Sequence, residues 1–126
     1  MADLITSLSF AASGMEAQAT RLRHVSENIA NTDTPGYHRK TVSFQSEIDS
    51  GLVIAGPVRL DDRELARIYA PGHPLADETG YYDGSNVDLV VEIADAREAQ
   101  RSYEANLKLF DQARQMTQSL FDLLRR

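Results

Sequence analysis

The chain has 126 residues, 42% hydrophobic and 25% charged, with a net charge of −6, which suits one domain or a small domain with long helical ends. It has no cysteine, which excludes disulfides and thiolate metal sites. No apolar run approaches the ~20 residues of a membrane span, and the start Met1-Ala2-Asp3 lacks the pattern of a cleaved signal peptide.

The charge is uneven. Residues 45–88 hold nine acids and three arginines, the whole of the −6, while residues 1–44 balance at four of each and residues 89–126 at six of each. A nucleic-acid partner would need a basic stripe. His38-Arg39-Lys40 is the only basic cluster, so no such partner is expected.

A first helix is predicted over about residues 3–31. Leu4, Leu8, Ala11, Met15, Gln18, Leu22, Val25 and Ile29 step alternately by four and three, which keeps an apolar seam on one side of a helix that packs along another. Gly14 costs ~1 kcal/mol against alanine. Beside Ala11, Ala12 and Ser13 it is either a notch for another backbone or a tolerated exposed glycine. The helix stops at Asn31-Thr-Asp-Thr-Pro-Gly-Tyr37. Pro35 pushes Thr34 out of the helical region, and Pro-Gly favours a type II turn with positive φ at Gly36. Asn28 and Asn31 are expected to cap backbone near this turn.

Residues 37–85 read as short strands and turns, with strands at 41–44, 51–56, 58–60 and 65–69. A second helix follows over about 86–124. Ser85 with Asp88 matches a capping box, Asn86 is a rival cap, and Arg125 and Arg126 sit where the helix dipole favours cations. Leu89, Ile93, Ala96, Gln100, Tyr103, Leu107 and Phe110 repeat the alternation; Ala113, Thr117, Leu120 and Leu124 continue it after a phase shift that resembles a stammer.

At ~1.5 Å per residue the helices span roughly 43 and 58 Å, too long for the middle section alone to cover. The expected fold is mainly α: long N- and C-terminal helices forming a coiled-coil pair, with a small β/loop-rich middle, divided as 1–33, 34–85 and 86–126. The seams must be covered by each other, by neighbouring chains, or both. Gln18, Gln100 and the tract Arg101 to Asn106 are polar interruptions that either set register between helices or lie at a loose edge.

Little here carries chemistry. His24, His38 and His73 lie on three kinds of segment without a ligand-pair partner. Asp61-Asp62 with Glu64, and Asp77-Glu78, resemble hydrolase carboxylates but in an acidic section read as solvated charges. No serine sits in a nucleophile elbow and no phosphate loop exists. No catalytic residue, metal, cofactor or small-molecule substrate is expected. The rivals to a structural role are a coiled-coil adaptor and a peptidoglycan hydrolase using Asp61 or Glu78.

Ala12-Ser-Gly-Met15, Gln18, Arg21-Leu22, Ser26-Glu-Asn-Ile-Ala-Asn31 and Thr34-Pro-Gly-Tyr37 together resemble the N-terminal signature of bacterial flagellar rod and hook proteins. Pro71-Gly-His-Pro-Leu-Ala-Asp-Glu78, Gly80-Tyr81, Asn86-Val-Asp88 and Arg101-Ser-Tyr-Glu-Ala-Asn106 resemble the short, proximal-rod members. The likeness covers about residues 8–44 and 69–124. It departs at Gly84-Ser85, where a proline-containing approach is expected. It implies a non-enzymatic subunit of the periplasmic basal-body rod. Such a subunit is exported unfolded through the flagellar type III apparatus. It assembles with other rod proteins and copies of itself into a helical, hollow, torque-transmitting shaft. The residues expected in subunit packing are Leu4, Leu8, Met15, Leu22, Val25 and Ile29 with Tyr103, Leu107, Phe110, Leu120 and Leu124. Asn28, Asn31, Pro35, Gly36 and Tyr37 form the turn motif, and Arg39, Lys40, Arg101 and Asn106 are the expected polar contacts between subunits.

Overall fold

The computed structural model describes residues 2–125. Two helices dominate: α1, Ala2–Ala30, and α2, Leu89–Leu124. At ~1.5 Å per residue they are about 43 and 54 Å long. They run antiparallel, since Asn28 meets Glu92, Arg21 meets Asp95, and Gly14 faces Asn106.

α1 ends where its sequence stops supporting it. The Asn31 amide still reaches the Glu27 carbonyl at 3.0 Å. Its side chain donates to the same carbonyl at 2.8 Å and accepts from the Thr34 hydroxyl at 3.0 Å. Tyr37 N donates to Thr34 O at 3.2 Å, and Gly36 has φ +75°. That bond and that dihedral describe a type II turn.

The start of α2 differs from expectation. The helix begins at Leu89, and its cap is Asp88, whose carboxylate accepts from Val90 N at 3.0 Å. Ser85 and Asn86 do not cap, because their side chains are used elsewhere: the Ser85 hydroxyl donates to Thr32 O, and the Asn86 amide bridges to Asp61 O and Arg63 O. At the other end the Arg125 amide closes onto Phe121 O at 3.2 Å; Arg126 lies outside the described residues.

Six short strands form three antiparallel pairs between the helices. They are β1 (Lys40–Thr41), β2 (Phe44–Ser46), β3 (Val53–Ala55), β4 (Arg59–Leu60), β5 (Arg67–Tyr69) and β6 (Tyr81–Asp83). β2 pairs β3 with Gln45 opposite Ile54, nested inside β1–β4, where Lys40 faces Leu60; β5 pairs β6 with Ile68 opposite Tyr82. The strand expected at 41–44 is thus split at Val42-Ser43 between two partners. β6 was not expected; its three residues are too short to show alternation. Asp77 organises the loop before it, accepting from Thr79 N at 2.9 Å and Tyr81 N at 3.1 Å.

The interior of the helix pair is made of small residues. Its buried apolar members are Ala11, Ala17, Val25, Ala99 and Ala113. At Gly14 an added Cβ would lie 2.8 Å from the Asn106 amide, so this glycine is the notch through which α2 approaches. Ala17 and His24 are shielded by the β2–β3 hairpin, tied on by Val53 N donating to Ser13 Oγ at 3.3 Å.

The helical seams are therefore corrected. On α2 the row against α1 is Glu92, Ala96, Ala99, Tyr103, Asn106, Phe110, Ala113 and Thr117, an unbroken four-three alternation. The row of large residues read from the sequence starts in its neighbour, touching it at Ala96, Tyr103 and Phe110, and joins it at Ala113 and Thr117. The apparent stammer came from stepping between these two adjacent rows. On α1 likewise Gly14, Arg21 and Asn28 face α2, while Ile29 is turned outward.

Candidate assembly interface

A polar node locks the middle section to both helices. Asn28 is wholly buried, and all four of its side-chain bonds are made. Its Nδ2 donates to Lys40 O at 2.9 Å and to Glu92 Oε2 at 3.2 Å; its Oδ1 accepts from Lys40 N and from the Tyr37 hydroxyl, each at 2.8 Å. This corrects the expectation that Asn28 caps backbone at the turn, because its position faces α2 and β1 rather than the helix end. Glu92 is equally buried and takes an ion pair from Arg39, which also reaches Asp95 at 2.8 Å and Asp61 at 3.9 Å. A buried carboxylate is tolerated only when paired and hydrogen-bonded, and Arg39 with Asn28 meets both conditions.

Around the node the charges are set by neighbours. Lys40 Nζ lies 2.7 Å from Glu27, whose carboxyl is held below its usual range by that hydrogen bond, while the Lys40 ammonium is held above its own. Burial pushes the Tyr37 hydroxyl up. Asp61 is held down by its bond to the Arg63 side chain, 2.8 Å away. His24 does have a neighbour at helical spacing, Glu27, 3.7 Å from its Nδ1. Among the described residues no cluster of three or more metal-binding side chains forms.

Arg39, Lys40 and Asn106, expected to face a neighbouring subunit, are engaged within their own chain. The sequence hides this because Arg39 and Glu92 are 53 positions apart. Asn106 donates to Ser102 O at 2.9 Å and presses on Gly14. Arg101 is exposed. Glu92 has no structural role in the sequence reading, and Ser85 and Asn86 have one only as helix caps. The one legible signal was that Glu92 interrupts Val90-Val91-Glu92-Ile93, an acid inside an apolar helical start.

Two surfaces remain open. The first is an outer stripe: Leu89, Ile93 and Leu107 are each more than 40% exposed on α2, beside Ile29 and Ile5 on α1. Leu8, Met15, Leu22, Tyr103 and Phe110 are half-buried along its edge. The second is a trough of about 850 Å³ on the hairpin side, floored by Ala11 and Gly14 and walled by Leu4, Phe10, Phe44 and Leu109. Past it, Leu120 and Leu124 stand exposed near the end of α2.

Comparison with known proteins bears on what these surfaces serve. Residues 8–38 match the family "Flagella basal body rod protein", and residues 78–123 match "Flagellar basal body rod FlgEFG protein C-terminal". A curated relative, the flagellar basal-body rod protein FlgC of Agrobacterium fabrum, is 46% identical over 99% of this chain and 98% of its own. FlgC of Aquifex aeolicus is 34% identical over 97% of this chain and 98% of its own; FlgC of Salmonella typhimurium is 32% identical over 90% and 92%. The chain belongs to the flagellar basal-body rod protein family and is FlgC-like.

Proposed function

We infer from that membership that the chain is a structural subunit of the flagellar basal-body rod. The observation that carries the reading is the placement of its apolar residues. The buried apolar interior is four alanines and a valine, while 23 large hydrophobic residues are exposed among the described residues. A solitary soluble chain rarely leaves that much apolar surface in water. The surplus runs the length of α2, from Leu89 to Leu124, with Ile5, Phe10 and Ile29 on α1, as a subunit meant for packing among like subunits requires.

On this reading the rod is a helical, hollow assembly of like proteins, because head-to-tail contacts whose rotation does not close generate tubes. The segments 1–33 and 86–126 form its helical layer, and 34–85 forms the acidic outer section. Leu4, Leu8, Met15, Leu22 and Ile29 pack against neighbours, with Leu107, Leu120 and Leu124. Val25, Tyr103 and Phe110 support that layer from the helix interface. The chain travels through the type III export apparatus unfolded and performs no catalysis. In support, Asp61 is taken up by Arg63 and Arg39, and Asp77 by its own loop and Arg67.

Complementation tests the reading. In a strain made non-motile by loss of its own FlgC, the tagged chain should be recovered in purified basal bodies and restore swimming. Abundant, folded, exported chain that never enters basal bodies would refute it.

A further inference from the structure

The outer stripe and the trough lie on opposite sides of the helix pair. Counting about 100° per residue from the inner row of α2, Leu107 points one way and Leu109 and Met116 the other. Both surfaces are apolar. The trough also holds the amides of Gln18, Asn106 and Gln112. Of these, Gln18 has an unmet acceptor: its Oε1 is buried with no donor among the described residues. The stripe holds one amide, Gln100, exposed between Ile93 and Leu107. A buried oxygen without a donor costs about 1–3 kcal/mol, and turning the Gln18 side chain into the trough to meet a donor on the occupant would relieve that cost.

We propose that the α2 stripe of one copy lies in the trough of the next copy, with the Gln100 amide donating to Gln18. This rests on the rod reading and names the partner as a second copy of this chain. With all copies pointing the same way, the incoming α2 runs antiparallel to the receiving α1. Seven residues on, Leu107 then stands over Ala11, the small residue on the trough floor. Seven further, Arg114 comes level with Asp3 and Leu4 at the open end. Asp3 has no ion-pair partner among the described residues, and Arg114, held only at 3.9 Å by the half-exposed Asp111 of its own helix, keeps a charge to offer it. The stripe is also continuous with the established α1–α2 interface, through Ala96, Tyr103 and Phe110. Because stripe and trough are different surfaces, the contact is heterologous and can repeat without closing.

The chain has no native cysteine, which makes the register testable by disulfide trapping. Two chains, Gln18→Cys and Gln100→Cys, are co-expressed in place of the native subunit, and isolated basal bodies are oxidised. A dimer of twice the 14.0 kDa chain mass should form several-fold above a Gln18→Cys with Asp62→Cys control. Ala11→Cys with Leu107→Cys, the second pair in the same register, guards against a variant that fails to assemble. Absence of the wild-type chain from basal bodies would refute the rod reading itself. Chains present but uncrosslinked in both pairs would overturn the proposal and assign the trough to a different protein. Dimers of Gln100→Cys alone would show symmetric face-to-face pairing and overturn it too.

Discussion

Replacing Arg39 by methionine keeps an unbranched apolar stem and removes the charge. The carboxylate of Glu92 would then be wholly buried with only the Asn28 amide, 3.2 Å away, to stabilise it. Breaking a buried pair by removing one partner costs about 3–5 kcal/mol. Arg39 is only 14% exposed, so water does not readily take its place. A domain of this size holds about 5–15 kcal/mol in total. With a urea dependence of ~2 kcal/mol per molar, the unfolding midpoint should fall by roughly 2 M. Helical circular dichroism against urea reads this directly. The decisive comparison is the double variant. Adding Glu92→Gln removes the stranded charge while keeping its acceptor for Asn28, so the midpoint should recover by about half. A fall of less than about 0.5 M for Arg39→Met, or no recovery in the double variant, would refute the view that a stranded charge is the cost.

Other expectations follow from the same geometry. Gly36→Val should destabilise by roughly 1 kcal/mol or more, since φ +75° is strained for any residue with a Cβ although nothing lies within 4 Å of it; swimming at matched protein level should drop, and normal motility would show that the turn direction does not matter. The Asp77 carboxyl is lowered to about 2, first by its bond to the Thr79 hydroxyl and then by the Tyr81 amide. A depressed folded value stabilises above the unfolded value near 3.8 and is lost as pH falls from about 4 to 2; an NMR titration midpoint at 3.8 would contradict this. Leu107→Asp lies at an exposed site, so it should shift the isolated chain's stability by less than about 0.5 kcal/mol yet block entry into basal bodies, and normal incorporation would remove Leu107 from the packed surface. Hydrogen exchange of the monomer should protect residues 20–30 and 89–100 around the node better than residues 2–10 and 114–124, where no described residue is buried; uniform protection would disprove the gradient.

The long helices and the turn were legible because their signals are local: a four-three alternation, and Pro35-Gly36 after an Asn-rich stop. The packed face was not. Sequence reading looks for large apolar residues to mark an interior, and here Ala11, Gly14, Ala99 and Ala113 mark it while Leu107 and Ile93 face outward. Counting periodicity could not separate two adjacent rows that share every seventh residue. The node was invisible for a different reason: Asn28, Arg39 and Glu92 are far apart in the chain, and each alone resembles an ordinary helix or loop residue. Gln18 and Gln100 were visible as interruptions. Their assignment to a trough and a stripe needed three-dimensional placement.

An alanine interior also divides the heat capacity of this protein between two events. Heat capacity on folding scales with apolar area removed from water, and four alanines and a valine remove little. Alanine has no rotamers to freeze, so closing the helix pair costs little side-chain entropy. The exposed leucines, isoleucines and Met116 keep much of their hydration and rotational freedom until a neighbour arrives. The lone chain should therefore melt with a small heat-capacity step for its length. Joining the assembly should carry the larger, negative one, so subunit addition rather than chain folding would be the temperature-sensitive step.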